Sequence, residues 1–251
     1  MNRLHARDFK RIYTALLFDL IVSIALPLLL LGVIVILNAQ TKAAGLTGEE
    51  VSSGIINQSP LMRMIFAYYP VRFCASALCA LLAVSGLDGL ESASPWPLRS
   101  RRWFIGCALM NAVAMAARIV RMSFLNRDVP DTVLFLALAA QAVALALLGA
   151  AEYSLLKGFG EVLESIGAQK QSLRANTLSR WTAGVFIAFI AAYLGFMADL
   201  SIEKLPFMLI LAVLFVIAVV ALLYLAVRIQ MICCARRTWR TLAEIPDEVI
   251  S

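Results

Sequence analysis

The chain has a single histidine, His5, among 251 residues, and only 15% of its residues are charged. It contains no H-E-x-x-H pair, no G-x-S-x-G elbow and no glycine-rich phosphate loop. The stretch "DGLE" at Asp88 is not followed by the further acids that a metal-dependent lipid transferase needs. The five cysteines, Cys74, Cys79, Cys107, Cys233 and Cys234, form no C-x-x-C pair, so neither a zinc site nor a disulfide framework is expected. These absences lead us to expect no enzyme activity, no cofactor and no metal. Long polar stretches are lacking as well. None exceeds about 25 residues, whereas a folded domain takes at least about 50, which leaves no room for a separate soluble domain.

What the chain has in plenty is apolar. It is 62% hydrophobic, with a mean hydropathy of +0.86, against roughly half apolar in a soluble domain. The excess comes in long runs, and a run of about 20 apolar residues spans a bilayer core of roughly 30 Å. The expected fold is all-α, a polytopic transmembrane helical bundle forming one domain over 1–251. Six spans are expected, near 12–37, 64–87, 103–124, 132–156, 181–199 and 205–228. The basic stretch Met1–Arg11 is followed by an apolar run too long for a signal peptide, so the first span should remain. Pro60 after Ser59 predicts a helix start, and Pro70 a kink. Residues 157–180 place Phe159, Val162, Leu163 and Ile166 on one helical face. They read as a cytoplasmic amphipathic connector or, equally, as an extension of the fourth span. Residues 229–251 read as a cytoplasmic tail.

The net charge is +6, and its distribution sets an orientation. The loops on one side of the six spans hold fifteen Lys and Arg, those on the other side four. By the positive-inside rule both termini are expected in the cytoplasm, with the protein in the cell membrane. The basic balance then belongs to loops, so no nucleic-acid partner is expected. Trp96, Trp103, Trp181 and Trp239 all fall at or near the expected cytoplasmic interface, where indole rings are favoured. Helices in lipid associate through small residues. The stripes Ala108/Ala112/Ala116 and Gly184/Ala188/Ala192 therefore read as close-packing faces.

A few polar residues interrupt the apolar spans. Arg118 and Arg121 lie near the outer end of the third span, and Arg72 falls at about the depth of Arg118 on the second. They can snorkel to headgroups or pair with acids of the outer loops (Glu49, Glu50, Asp128, Asp131, Asp199, Glu203). They can also share an anion, in an outward-facing pocket with hydroxyls from Tyr68 and Tyr69. Asn111 and Gln141 sit at similar depth and are expected to hydrogen-bond between helices. Asp19 lies inside the first span, eight residues before Pro27, which frees the Ser23 carbonyl. That pairing suits a cation, while Lys10, Arg11 or water would serve a carboxylate near the interface. Glu152 reads in the same way.

Six spans, about 250 residues and a basic helical lead-in are similar in plan to an export-type ABC permease subunit, an analogy of topology without a motif. The last outer connection, Asp199 to Pro206, is too short for the re-entrant element of that plan. The expected function is a permease-like or transport-complex subunit with membrane lipids around it and a separate ATPase as partner. The alternative is a non-transporting scaffold or sensor with an outer-leaflet basic pocket. Convergence of Asn111, Gln141 and Asp19 on one cavity would favour transport.

Overall fold

The computed structural model describes residues 2–43, 60–87, 90, 94–123, 131–198 and 207–244. Over these the chain is all-helical: α1 Asn2–Ala43, α2 Pro60–Leu87, α3 Trp96–Ser123, α4 Asp131–Ser165, α5 Gln169–Ala198 and α6 Phe207–Glu244. Pro60 opens α2. Each helix packs on its chain neighbours, and α1 closes the ring on α6. Neighbours run antiparallel. The core takes the N-terminal parts of α1, α3 and α5 and the C-terminal parts of α2, α4 and α6, as in Phe9, Phe104 and Ala175 beside Leu87, Phe159 and Met231.

Among the described residues five helices are long and apolar enough to cross a membrane: α1, α2, α3, α4 and α6. The exception, α5, carries the expected span 181–199. Its side chains beyond Ala191 lie outside the described residues. The expected last span ends at 228. The α6 helix runs on to Glu244, and its membrane-length stretch is Ala218–Ala243. Arg228 is therefore an interior residue of the helix, which continues through the first part of the expected tail.

Residues 157–180 are the end of α4 and the start of α5. The turn between them is a Schellman cap: Ala168 N donates to Leu163 O at 2.8 Å and Gly167 N to Glu164 O at 3.0 Å. Gly167 takes φ +79°, which costs a glycine little. The apolar face read there is buried, with Phe159, Val162 and Leu163 all in the core.

The core lies at one end of the ring. Phe9 meets Phe159 with ring centroids 4.8 Å apart. Gly86 lets α2 approach α1 so closely that a Cβ there would sit 2.8 Å from the Asp8 carbonyl. Glu161 accepts from Ser94 Oγ and Trp96 Nε1, both at 2.6 Å, and so ties the segment before α3 to α4. Tyr13 stacks on Trp239 and Lys10 lies over the same indole. Towards the other end the helices part. From Leu17 to Ile36 no residue of α1 is buried.

Candidate functional site

Arg228 is the centre of the bundle. Its guanidinium is 4% exposed, yet it belongs to a helix that is otherwise apolar at this level. One nitrogen, Nη2, serves two acids from two other helices: Asp19 Oδ2 of α1 at 2.9 Å and Glu152 Oε1 of α4 at 2.7 Å. The Nε–H donates to Tyr224 Oη at 2.8 Å, one turn back along α6. An arginine suits this work because its planar fork offers several donors at fixed angles and keeps its charge.

The two acids are not equivalent. The Asp19 side chain is 22% exposed, whereas Glu152 is wholly enclosed. Neither Glu152 oxygen has an aligned hydrogen bond, so charge attraction to Arg228 is what holds it. Two carboxylates thus face one guanidinium. The cluster ties α1, α4 and α6 together across the ring.

A cavity of about 70 Å³ opens beside the cluster, lined by Asp19, Arg228, Cys79, Cys107, Asn111 and Ser76 among others. A second cavity, of about 250 Å³, lies towards the open end and is lined by Arg72, Arg118, Asn111, Gln141 and Ser76 among others. Phe73, Ser76 and Asn111 line both cavities. The polar residues thus form one line, from the arginines at the open end to Arg228 in the middle. Arg72 also donates to Tyr68 Oη at 2.8 Å.

Of the residues singled out in the sequence, Arg72, Arg118, Asn111 and Gln141 come together around the larger cavity, with Tyr68 behind Arg72. Asn111 and Asp19 share the smaller one. The expected hydrogen bond between Asn111 and Gln141 is absent among the described residues. Asn111 Nδ2 instead donates to Cys107 Sγ on its own helix, at 3.4 Å, and both amides line the larger cavity. Asp19 pairs with Arg228 rather than with Lys10 or Arg11. Glu152 does the same. Tyr69 and Arg121 belong to α2 and α3, but their side chains lie outside the described residues, as do Glu49, Glu50, Asp128, Asp199, Glu203 and the Asp131 side chain.

Arg228 itself was missed by the sequence reading, which took it as the last residue of the final span and counted it with the basic residues of the cytoplasmic side. A signal was present. Tyr224, Arg228, Met231, Ala235, Thr238 and Leu242 recur at alternating steps of four and three, one helical stripe continuing past the arginine. From Arg228 onward every residue of that stripe is buried. No known family, curated protein or solved structure matches the chain, so the chemistry of these residues is what speaks for the site.

Proposed function

We propose that the chain is a non-enzymatic, permease-like subunit of the cell membrane, with both termini cytoplasmic, that takes up an anion from the Arg72–Arg118 face. The observation that carries this reading is that the two cavities adjoin, with Ser76 and Asn111 in the lining of both. Arg72 and Arg118 supply positive charge to the cavity lining. The amides of Asn111 and Gln141 offer donors to the oxygens of an anion. At the inner end Arg228 has one partner in the open cavity, Asp19, and one sealed away, Glu152.

An anion arriving there competes with Asp19 for the guanidinium. Exchange of the partner would release α1 from α6 while Glu152 keeps Arg228 neutralised. That is a two-state element with a ligand able to bias it. Intramembrane charges of this kind mark pathways more often than they stabilise helices. The chain has no nucleotide-binding loop, so the energy for uphill movement falls to a partner, and a separate ATPase is the class proposed.

The test is binding by the purified protein of a panel of small anions (inorganic phosphate, sulfate and lactate), measured by titration calorimetry. Arg72→Gln together with Arg118→Gln should weaken whichever anion binds by on the order of tenfold or more, equivalent to about 1.4 kcal/mol. Unchanged binding would defeat the reading. Copurification of a stoichiometric ATPase from mild detergent would support the transport assignment. A second reading, a scaffold or sensor subunit that holds a lipid phosphate at the same arginines, draws on the narrowness of the inner cavity. At about 70 Å³, against about 250 Å³ for the outer cavity, it favours a ligand held at the outer arginines.

A further inference from the structure

The α5–α6 face carries a groove that the site above does not use. At the closed end a cavity of about 620 Å³ is lined by Arg174, Arg237, Gln171 and Gln230 among others. Beside it runs a cavity of about 540 Å³, lined by Arg180, Gly184, Val185, Ala188, Val220 and Leu223 among others. Thr177 and Trp181 line both, so the two are one groove. Its first part is polar and basic, and its second part apolar.

Three observations bear on what it holds. First, its length fits one leaflet. From Arg174 to Ala188 is fourteen residues of α5, or about 21 Å at 1.5 Å per residue, and half a bilayer with its headgroups is about 20–22 Å thick. Second, its charge is of one sign. Three arginines line it, and no acid is among the described lining residues. Third, the small residues of α5 leave it open. A Cβ at Gly184 would meet nothing within 4 Å, and Ala188 is exposed. The expected close-packing stripe is a groove wall here, with Val220 and Leu223 of α6 lining the same cavity. Trp181, 64% exposed at the junction of the two parts, has the amphipathic ring of a headgroup-level residue.

We propose that this groove binds one anionic phospholipid of the leaflet at the closed end. Arg174 and Arg237 hold the phosphate and headgroup, and an acyl chain lies over Gly184, Ala188 and Val220. A second copy of the chain suits the face less well. A two-fold contact would set Arg174, Arg180 and Arg237 against their own images with no acid between them. The inference stands apart from the anion pathway and does not depend on it.

Native mass spectrometry of the purified full chain tests it, with phosphatidylglycerol and phosphatidylcholine of identical acyl chains as probes. The expected result is one phosphatidylglycerol retained per chain, with a preference over phosphatidylcholine on the order of tenfold from the two headgroup-level arginines. Arg174→Gln with Arg237→Gln should bring phosphatidylglycerol down to the phosphatidylcholine level. Gly184→Leu, which fills the groove, should displace both lipids. Both arginines and Gly184 are exposed, and helical circular dichroism checks that each variant folds. Equal binding of the two lipids by the unaltered chain would overturn the proposal, as would phosphatidylglycerol binding that survives all three substitutions. A lipid-free dimer disrupted by Gly184→Leu would overturn it in favour of a second copy.

Discussion

The two ends of the helical ring are built on opposite principles. At the closed end six helices converge on Phe9, Ile12, Leu87, Phe159, Leu163 and Met231, all nearly inaccessible. Close approach there relies on Gly86, where a side chain would strike the α1 backbone. Polar groups at that end are used as ties, as in Glu161 with Ser94 and Trp96, or Ser100 Oγ donating to Ala151 O at 2.9 Å. At the open end no described residue of α1 beyond Leu16 is buried, and polar groups of α2, α3 and α4 line a cavity. The difference teaches where the fold is held and where it can change. Well-packed helix ends resist displacement, so α1 is anchored at one end and tethered near its middle by Asp19. Between the ends sits Arg228, the last tie before the helices part.

The largest effect should come from breaking that tie. Arg228→Leu leaves Asp19 and Glu152 without their counter-charge, and removal of one partner from a buried ion cluster costs about 3–5 kcal/mol. Thermal unfolding in detergent, followed by tryptophan fluorescence, should show the loss. Replacing Asp19, Glu152 and Arg228 together by leucine should restore most of it, since apolar substitution of a whole buried cluster is often neutral. If the single and triple variants unfold alike, the cluster is not what joins the two ends.

A glycine on each side of the comparison gives the next two effects, and they should differ in sign. Gly86→Ala at the closed end forces a methyl group against the Asp8 carbonyl and Ile12, and overpacking of this kind costs about 1–3 kcal/mol. Gly184→Ala on the open groove meets nothing, so it should stabilise α5 by about 0.5–1 kcal/mol through the glycine's lost flexibility. Urea titration of both variants reads the pair. Two changes of the same sign would mean that the groove closes in the membrane or that the α1–α2 contact yields. The paired substitution Arg72→Gln and Arg118→Gln completes the series. Both residues line the open cavity rather than the core, so anion binding should fall while the unfolding midpoint stays within the scatter of surface substitutions.

Much of this contrast was legible in part. The apolar runs gave the helices, because length and hydropathy suffice to mark a segment that belongs in lipid. Arg72, Arg118, Asn111 and Gln141 stood out because polar groups in such runs are costly, and they do meet around one cavity. Arg228 did not stand out. A hydropathy profile falls at an arginine followed by Arg236 and Arg237, and the profile alone reads that fall as the end of a span. The helical stripe beyond it held the correction. Gly184 and Ala188 were read as a packing face from their size alone, but size permits a close neighbour without supplying one.

The sequence by itself determined that the chain is helical and apolar enough to live in a membrane. It also determined which few residues break that apolarity. Those are properties of single segments, set by backbone hydrogen bonding and transfer from water. Only the tertiary structure decided that Asp19, Glu152 and Arg228 meet, that two cavities share Ser76 and Asn111 in their linings, and that the α5 stripe faces a groove. Each of these depends on the rotation of one helix against another. Contacts among three helices far apart in the chain fix that rotation, and no local pattern encodes them.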